Sequence, residues 1–192
     1  MRKFENNIGS ILSTPKYSEC YANLAKNRII FLSEIVSKDV ASTLSALLFY
    51  YDNESHDDIS IYINTNGGDS DALSNIYDVM QMIKSPIRTI CIGKAYSAGA
   101  FILAAGAKGK RFITKNADVM IHGVQFEFPG PYTDQCGSKI YFDMVRASNK
   151  KVLETLAKHT GKTYKEIEED CKKDLFLDAK QAKAYGIVDT II

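Results

Sequence analysis

The sequence predicts an α/β protein built from repeated β-α-β units in one domain. Short Ile-rich runs alternate with segments whose apolar residues recur at helical spacing, and the junctions after the second and third strands carry turns of glycine or other small residues. A chain of 192 residues, 45% of them hydrophobic, is long enough to bury a single sizeable core.

Residues 1–20 are polar and mixed and read as a flexible N-terminal segment; the domain is assigned to 21–192. Arg28–Ser33 reads as a short buried strand. Lys38–Tyr51, with Val40, Leu44, Leu47 and Leu48, reads as a helix. Ile59–Asn64 is a β-rich strand, Asn66–Asp69 a turn, and Asp71–Ile83 (Leu73, Ile76, Tyr77, Met80) a second helix. Ile87–Ile92 is a third strand, interrupted at Gly93, and Ser97–Ala105 a third helix. Arg111–Ile113 and Val119–Ile121 are further short strands. Beyond His122 the pattern changes. Gln125–Asp134, with its aromatics, two prolines and Gly130, reads as an extended arm. Ser138–His159 is a long amphipathic helix, Thr163–Lys172 a short acidic one, and Ala179–Tyr185 a last helix ended by Gly186.

Composition excludes several classes. Twenty-four Lys+Arg against 23 Asp+Glu give a net charge of +1, without the basic excess of a nucleic-acid binder. Cys20, Cys91, Cys136 and Cys171 are far apart and form no CxxC pair, so free thiols in a reducing cytoplasm are expected, with no metal and no cofactor. Residues Met1–Thr14 show no signal-peptide pattern. Ala95–Ala107, the most apolar uncharged stretch, is too short to cross a bilayer and suits a buried helix.

Ser97 is the first candidate for chemistry. It follows a strand and is flanked by Ala95, Ala98, Gly99 and Ala100, small neighbours that a nucleophile on a sharp strand-to-helix turn requires. A helix-capping serine has the same local pattern. Gly67-Gly68 is either a tight turn or a place where backbone N–H groups meet a ligand. Were the two strands adjacent and parallel, both turns would lie at their carboxyl ends, and the Gly68 and Ala98 N–H groups could form an oxyanion hole. His122, at the end of Val119–Ile121, is a structural histidine or a base. His56 lies in a polar loop; His159, at a helix end, is placed where a cation suits the helix dipole. Asp118, Asp134, Asp170, Asp174 and Asp178 all follow Ser97, and periodicity does not choose among them.

The segment Gly93–Phe112 resembles the active-serine segment of the Clp protease proteolytic subunit, and Val119–His122 resembles that family's histidine segment. Arg28–Leu32, Ile61–Asn64, the Gly67-Gly68 turn, Ile76–Lys84, His159–Gly161, Asp174–Leu177 and Tyr185–Asp189 are similar as well. The resemblance runs from about Tyr21 to the end. It implies a crotonase-like, ClpP-like α/β fold with a protruding strand-helix handle at about 123–160, and stacked heptameric rings, a tetradecamer, that admit unfolded polypeptides. It implies Ser97 as nucleophile, His122 as base, Asp174 as the third triad member, and Gly68 and Ala98 as the oxyanion hole. Gly67, Val124, Gln125 and Phe126 fall where substrate binds, and an AAA+ unfoldase is the implied partner. The sequence departs from the family pattern at Thr65-Asn-Gly-Gly68, where Ser-Pro-Gly-Gly is usual, and at His122-Gly-Val124, where His-Gln-Pro is usual. Alternatives are an acyl-CoA enzyme of the crotonase type, a phage- or element-encoded processing protease, and an inactive assembly partner.

Overall fold

The structure, a computed structural model, describes residues 15–125 and 135–192. The N-terminal residues up to Thr14 and most of the expected arm, Phe126 included, lie outside the described residues. Helix α1 (Pro15–Lys26) opens with proline at its first position, where the missing N–H costs nothing. It leads into β1 (Ile29–Leu32), α2 (Lys38–Glu54), β2 (Ile59–Thr65), α3 (Ser70–Met82), β3 (Ile87–Tyr96) and α4 (Ala98–Ala104). Then follow β4 (Arg111–Ile113), β5 (Asp118–Ile121), α5 (Gln135–Thr160), α6 (Tyr164–Asp170), β6 (Leu175–Leu177), α7 (Ala179–Tyr185) and β7 (Thr190–Ile191). The helix starts are marked in the sequence: Ser37, Asp69, Thr163 and Asp178 each accept a backbone N–H of the first turn.

The strands form one sheet in the order β1-β2-β3-β4-β7, all parallel, with β5 parallel to β3 and β6 antiparallel to β5. Along β2, Ile59, Ile61, Ile63 and Thr65 are buried while Ser60, Tyr62 and Asn64 are less covered. The alternation assigns one face of the sheet to the helices. The other carries Tyr62 stacked on Phe31 and Arg88 over the Phe112 ring. All seven residues of α4 are buried, as its unbroken apolar composition requires.

Several boundaries differ from the sequence reading: α1 starts at Pro15, inside the segment read as flexible, α5 starts at Gln135 rather than Ser138, and β7 was not read at all. Strand β3 does not stop at Ile92 but runs to Tyr96. Gly93, at φ 80°, absorbs an irregularity in the β2–β3 register between Ile63 and Thr65. Before it β3 pairs with β4; after it, Lys94–Tyr96 pair with β5. The glycine that looked like a stop exchanges one neighbour for another.

His159 also differs. Its Nε2 lies 3.2 Å from Tyr77 Oη, and burial, reinforced by the charges of Lys158 and Arg111, lowers its pKa to about 4. It is therefore neutral at pH 7, not the dipole-stabilising cation that its helix-end position suggested. The unfolded chain protonates this group near pH 6.5, before the folded chain does. The linked stability is fully present above pH 6.5 and is lost as pH falls toward 4. Denaturant midpoints measured from pH 7.5 to 4 are expected to fall through that interval, less steeply in His159→Gln than in the wild type.

Candidate active site

Ser97 joins β3 to α4 with φ 50° and ψ −124°, a conformation that costs a non-glycine residue on the order of 1–3 kcal/mol. It stands at the helix N-cap, yet its side chain makes no capping hydrogen bond. The hydroxyl is thus not spent on the helix. The Ser97 N–H donates to Met120 O at 2.8 Å, fastening the turn to β5.

The Gly67-Gly68 turn is pressed against this one because β2 and β3 are adjacent and parallel, with Thr65 opposite Ala95. A Cβ on Gly67 would lie 2.6 Å from Tyr96 O and 2.7 Å from Ser97 Cβ, and φ there is +93°. Gly67→Ala is expected to cost more than about 1 kcal/mol of stability and to depress activity further by displacing Ser97. Comparing denaturation midpoints with hydrolysis rates separates the two effects.

Register then delivers the remaining groups. Tyr96 pairs with Met120, so His122 follows two residues beyond the strand position beside the serine turn. On the other side of β5, Ile121 pairs with Leu175 in antiparallel register, which sets Asp174 next to His122. Ser97, Ala98, Gly68, His122 and Asp174 all line one cleft of about 540 Å³, with Val124 and Gln125 at its wall. Gly67 is buried behind the serine turn and is not among the residues lining the cleft. Among the described residues, neither the Gly68 nor the Ala98 N–H has a hydrogen-bond acceptor.

The other candidate acids are engaged or elsewhere. Asp170 accepts from Tyr185 Oη at 2.7 Å, Asp178 caps α7, and Asp118 starts β5 with its side chain exposed. Asp134 lies outside the described residues. Of the other two histidines, His56 lies 3.2 Å from Asp52 on the surface, and His159 is the buried neutral group above.

The side chains share the cleft without being linked. No hydrogen bond joins Ser97 to His122 among the described residues, and His122 Nδ1 is buried with no partner. A buried unpaired polar atom costs about 1–3 kcal/mol, a cost that an Asp174 carboxylate accepting from it would remove. Sequence reading did not find Leu73, Phe101, Tyr141 or Val152 in this cleft. They come from three helices and carry the same apolar spacing as ordinary core residues, so no local signal distinguishes them.

A family model described as Clp protease matches residues 13–192, nearly the whole chain. The chain belongs to the Clp protease family. The ClpP-like α/β fold expected of such a peptidase agrees with the single, mostly parallel sheet. Clp proteases form oligomeric rings, and several large apolar side chains of α5, namely Ile140, Phe142 and Met144, are exposed on the single chain. Among the described residues no helix is long and apolar enough to cross a membrane. Cys91 and Cys171 are buried free thiols, each raised to about 12 chiefly by burial, and Cys20 is exposed.

Proposed function

We propose that this Clp-family chain is a serine endopeptidase that cleaves unfolded polypeptides with Ser97, His122 and Asp174. Ser97 Oγ attacks the scissile carbonyl carbon while His122 Nε2 takes its proton. The carbonyl oxygen, now anionic, accepts from the Gly68 and Ala98 N–H groups. Collapse breaks the C–N bond, and His122 returns the proton to the departing amine. Water, deprotonated by the same imidazole, then hydrolyses the acyl-serine ester. Asp174 accepts a hydrogen bond from the Nδ1–H of His122, without taking its proton, and stabilises the imidazolium.

The observation that carries this reading is the coincidence, in one cleft, of an uncapped serine hydroxyl at positive φ with two N–H groups that have no acceptor among the described residues. A capping serine and a plain glycine turn account for neither. The reading includes a cytoplasmic assembly of stacked heptameric rings fed by an AAA+ unfoldase. Labelling with a fluorophosphonate, followed by peptide mapping, is expected to place the adduct on Ser97. Native mass measurement is expected to give a particle of roughly fourteen subunits. An assembled protein that resists the label, or a persistent monomer, would sink the respective claim.

A second reading, an assembly partner without activity, has one observation in its favour: the unlinked Ser97 and His122 and the orphaned Nδ1. The same labelling experiment separates the two.

A further inference from the structure

The residues after His122 are held in a way that the peptidase reading does not require. The Gly123 N–H donates to the carbonyl of Cys171, the C-cap of α6, at 2.9 Å. The Val124 N–H donates to Asn149 Oδ1, on α5, at 2.8 Å. A Cβ on Gly123 would lie 3.2 Å from that same Oδ1 and 3.3 Å from Cys171 O, so the chain is pinched between two elements. On its other side His122 is tied down by the pairing of Ile121 with Leu175. The backbone carrying the imidazole is therefore fixed by a strand before it and by two hydrogen bonds after it. Of the two bonds after it, only the one to Asn149 is made by a side chain. Residue 124 brings an N–H that a proline there would lack, and that donor is half-buried. Without Asn149 it has no acceptor among the described residues, and the segment is free to move outward to reach water.

Resting on the peptidase reading, we propose that Asn149 is a positioning residue for the base: by holding the Val124 N–H it keeps the His122 imidazole between Ser97 and Asp174. The three share the cleft, and His122, Asn149 and Asp174 also line one adjoining cavity of about 320 Å³ with Arg146, Lys172 and Lys173. Proton transfer is steep in distance, and a displacement of about 1 Å can cost a hundredfold in rate. A second consequence concerns substrate. The Val124 N–H is already occupied, so pairing of a peptide backbone along this segment must use its carbonyls and later N–H groups.

The test compares wild type, Asn149→Leu and Asn149→Asp in the assembled protein. It measures peptide hydrolysis and the rate of fluorophosphonate labelling, a reaction that needs an activated serine but no backbone pairing. Asn149→Leu is expected to lower kcat about ten- to a hundredfold with KM within about threefold, and to slow labelling by the same factor. Asn149→Asp keeps an oxygen acceptor and is expected to restore most of both rates. Should Asn149→Leu fail to assemble, Asn149→Ala removes the acceptor without adding bulk and is read in its place. Retained kcat in the variant lacking the acceptor overturns the inference, as does a loss that Asn149→Asp does not restore. So does a loss shared equally by KM and thermal midpoint, which marks a structural role. Failure of the wild type to label overturns the peptidase reading itself, an outcome distinct from a labelled wild type with an indifferent Asn149.

Discussion

Ser97→Ala is expected to eliminate fluorophosphonate labelling and to lower peptide hydrolysis by on the order of 10⁵–10⁶-fold while leaving stability nearly unchanged. The scale follows from triads elsewhere, in which removal of the nucleophile alone costs about as much as removal of the whole unit. The second half of the expectation discriminates more sharply. A serine that caps a helix loses about 0.5–2 kcal/mol on truncation, because its oxygen satisfies an N–H of the first turn. Here the Ser97 side chain makes no capping bond, so alanine forfeits none. Ser97→Gly goes further: at φ 50° glycine relieves strain of about 1–3 kcal/mol, partly offset by its own chain entropy of about 0.5–1 kcal/mol. The glycine variant is expected to be inactive and slightly more stable than the wild type. Chemical denaturation alongside a peptidase assay reads both. A destabilised, still active Ser97→Ala would return the residue to the role of a cap.

Arg111→Met is expected to cost about 3–5 kcal/mol and to lower the thermal midpoint by on the order of 10 °C. The Arg111 guanidinium is 7% exposed and holds Asp189 through Nη2–Oδ1 at 2.6 Å and Nε–Oδ2 at 2.9 Å. Its Nη1 donates to Ala104 O, His159 O and Gly186 O, at the carboxyl ends of α4, α5 and α7. One cation thus meets the negative ends of three helix dipoles and a carboxylate at once. Methionine fills much of the volume but leaves those carbonyls without their donor and the half-buried Asp189 without its counter-charge, with only the backbone N–H groups of residues 109 and 111 still donating to it. Arg111→Lys is expected to be costly as well, since a point charge cannot reproduce the fork. Burial tends to raise the Asp189 pKa, but the hydrogen bonds and charge of Arg111 outweigh it and hold the carboxyl below its ordinary 3.8. The linked stability is present above that value and is lost as pH falls below it. Arg111→Met combined with Asp189→Leu is expected to recover part of the loss, which separates the stranded charge from lost packing.

Strand and helix periodicity made most of the fold legible. The Ile59–Thr65 alternation, the fully apolar α4 and the Gly186 cap are local patterns, and each was placed within a residue or two. The β3 boundary was not legible, because a glycine at positive φ inside a strand and a glycine that ends one look alike until the neighbouring strands are known. His159 misled for a related reason. Its helix-end position argued for a cation, whereas its burial against Tyr77 and beside Arg111 depends on residues 82 and 48 positions away.

By itself the sequence determined the α/β class, the order of most of the elements between Arg28 and Tyr185, the two tight turns at Gly67-Gly68 and Ser97, and, through the likeness of its serine and histidine segments, the family. Those are properties of short windows, in which side-chain period and backbone allowance are written directly. The tertiary structure alone decided that the two turns abut, that Ser97 makes no cap, that Asp174 and His122 line the same cleft, and that Asn149 accepts from the Val124 N–H. These depend on sheet register. A shift of one residue in β5 against β3 or β6 would turn His122 or Asp174 away from the cleft, and the pairing that prevents it is made by groups far apart along the chain.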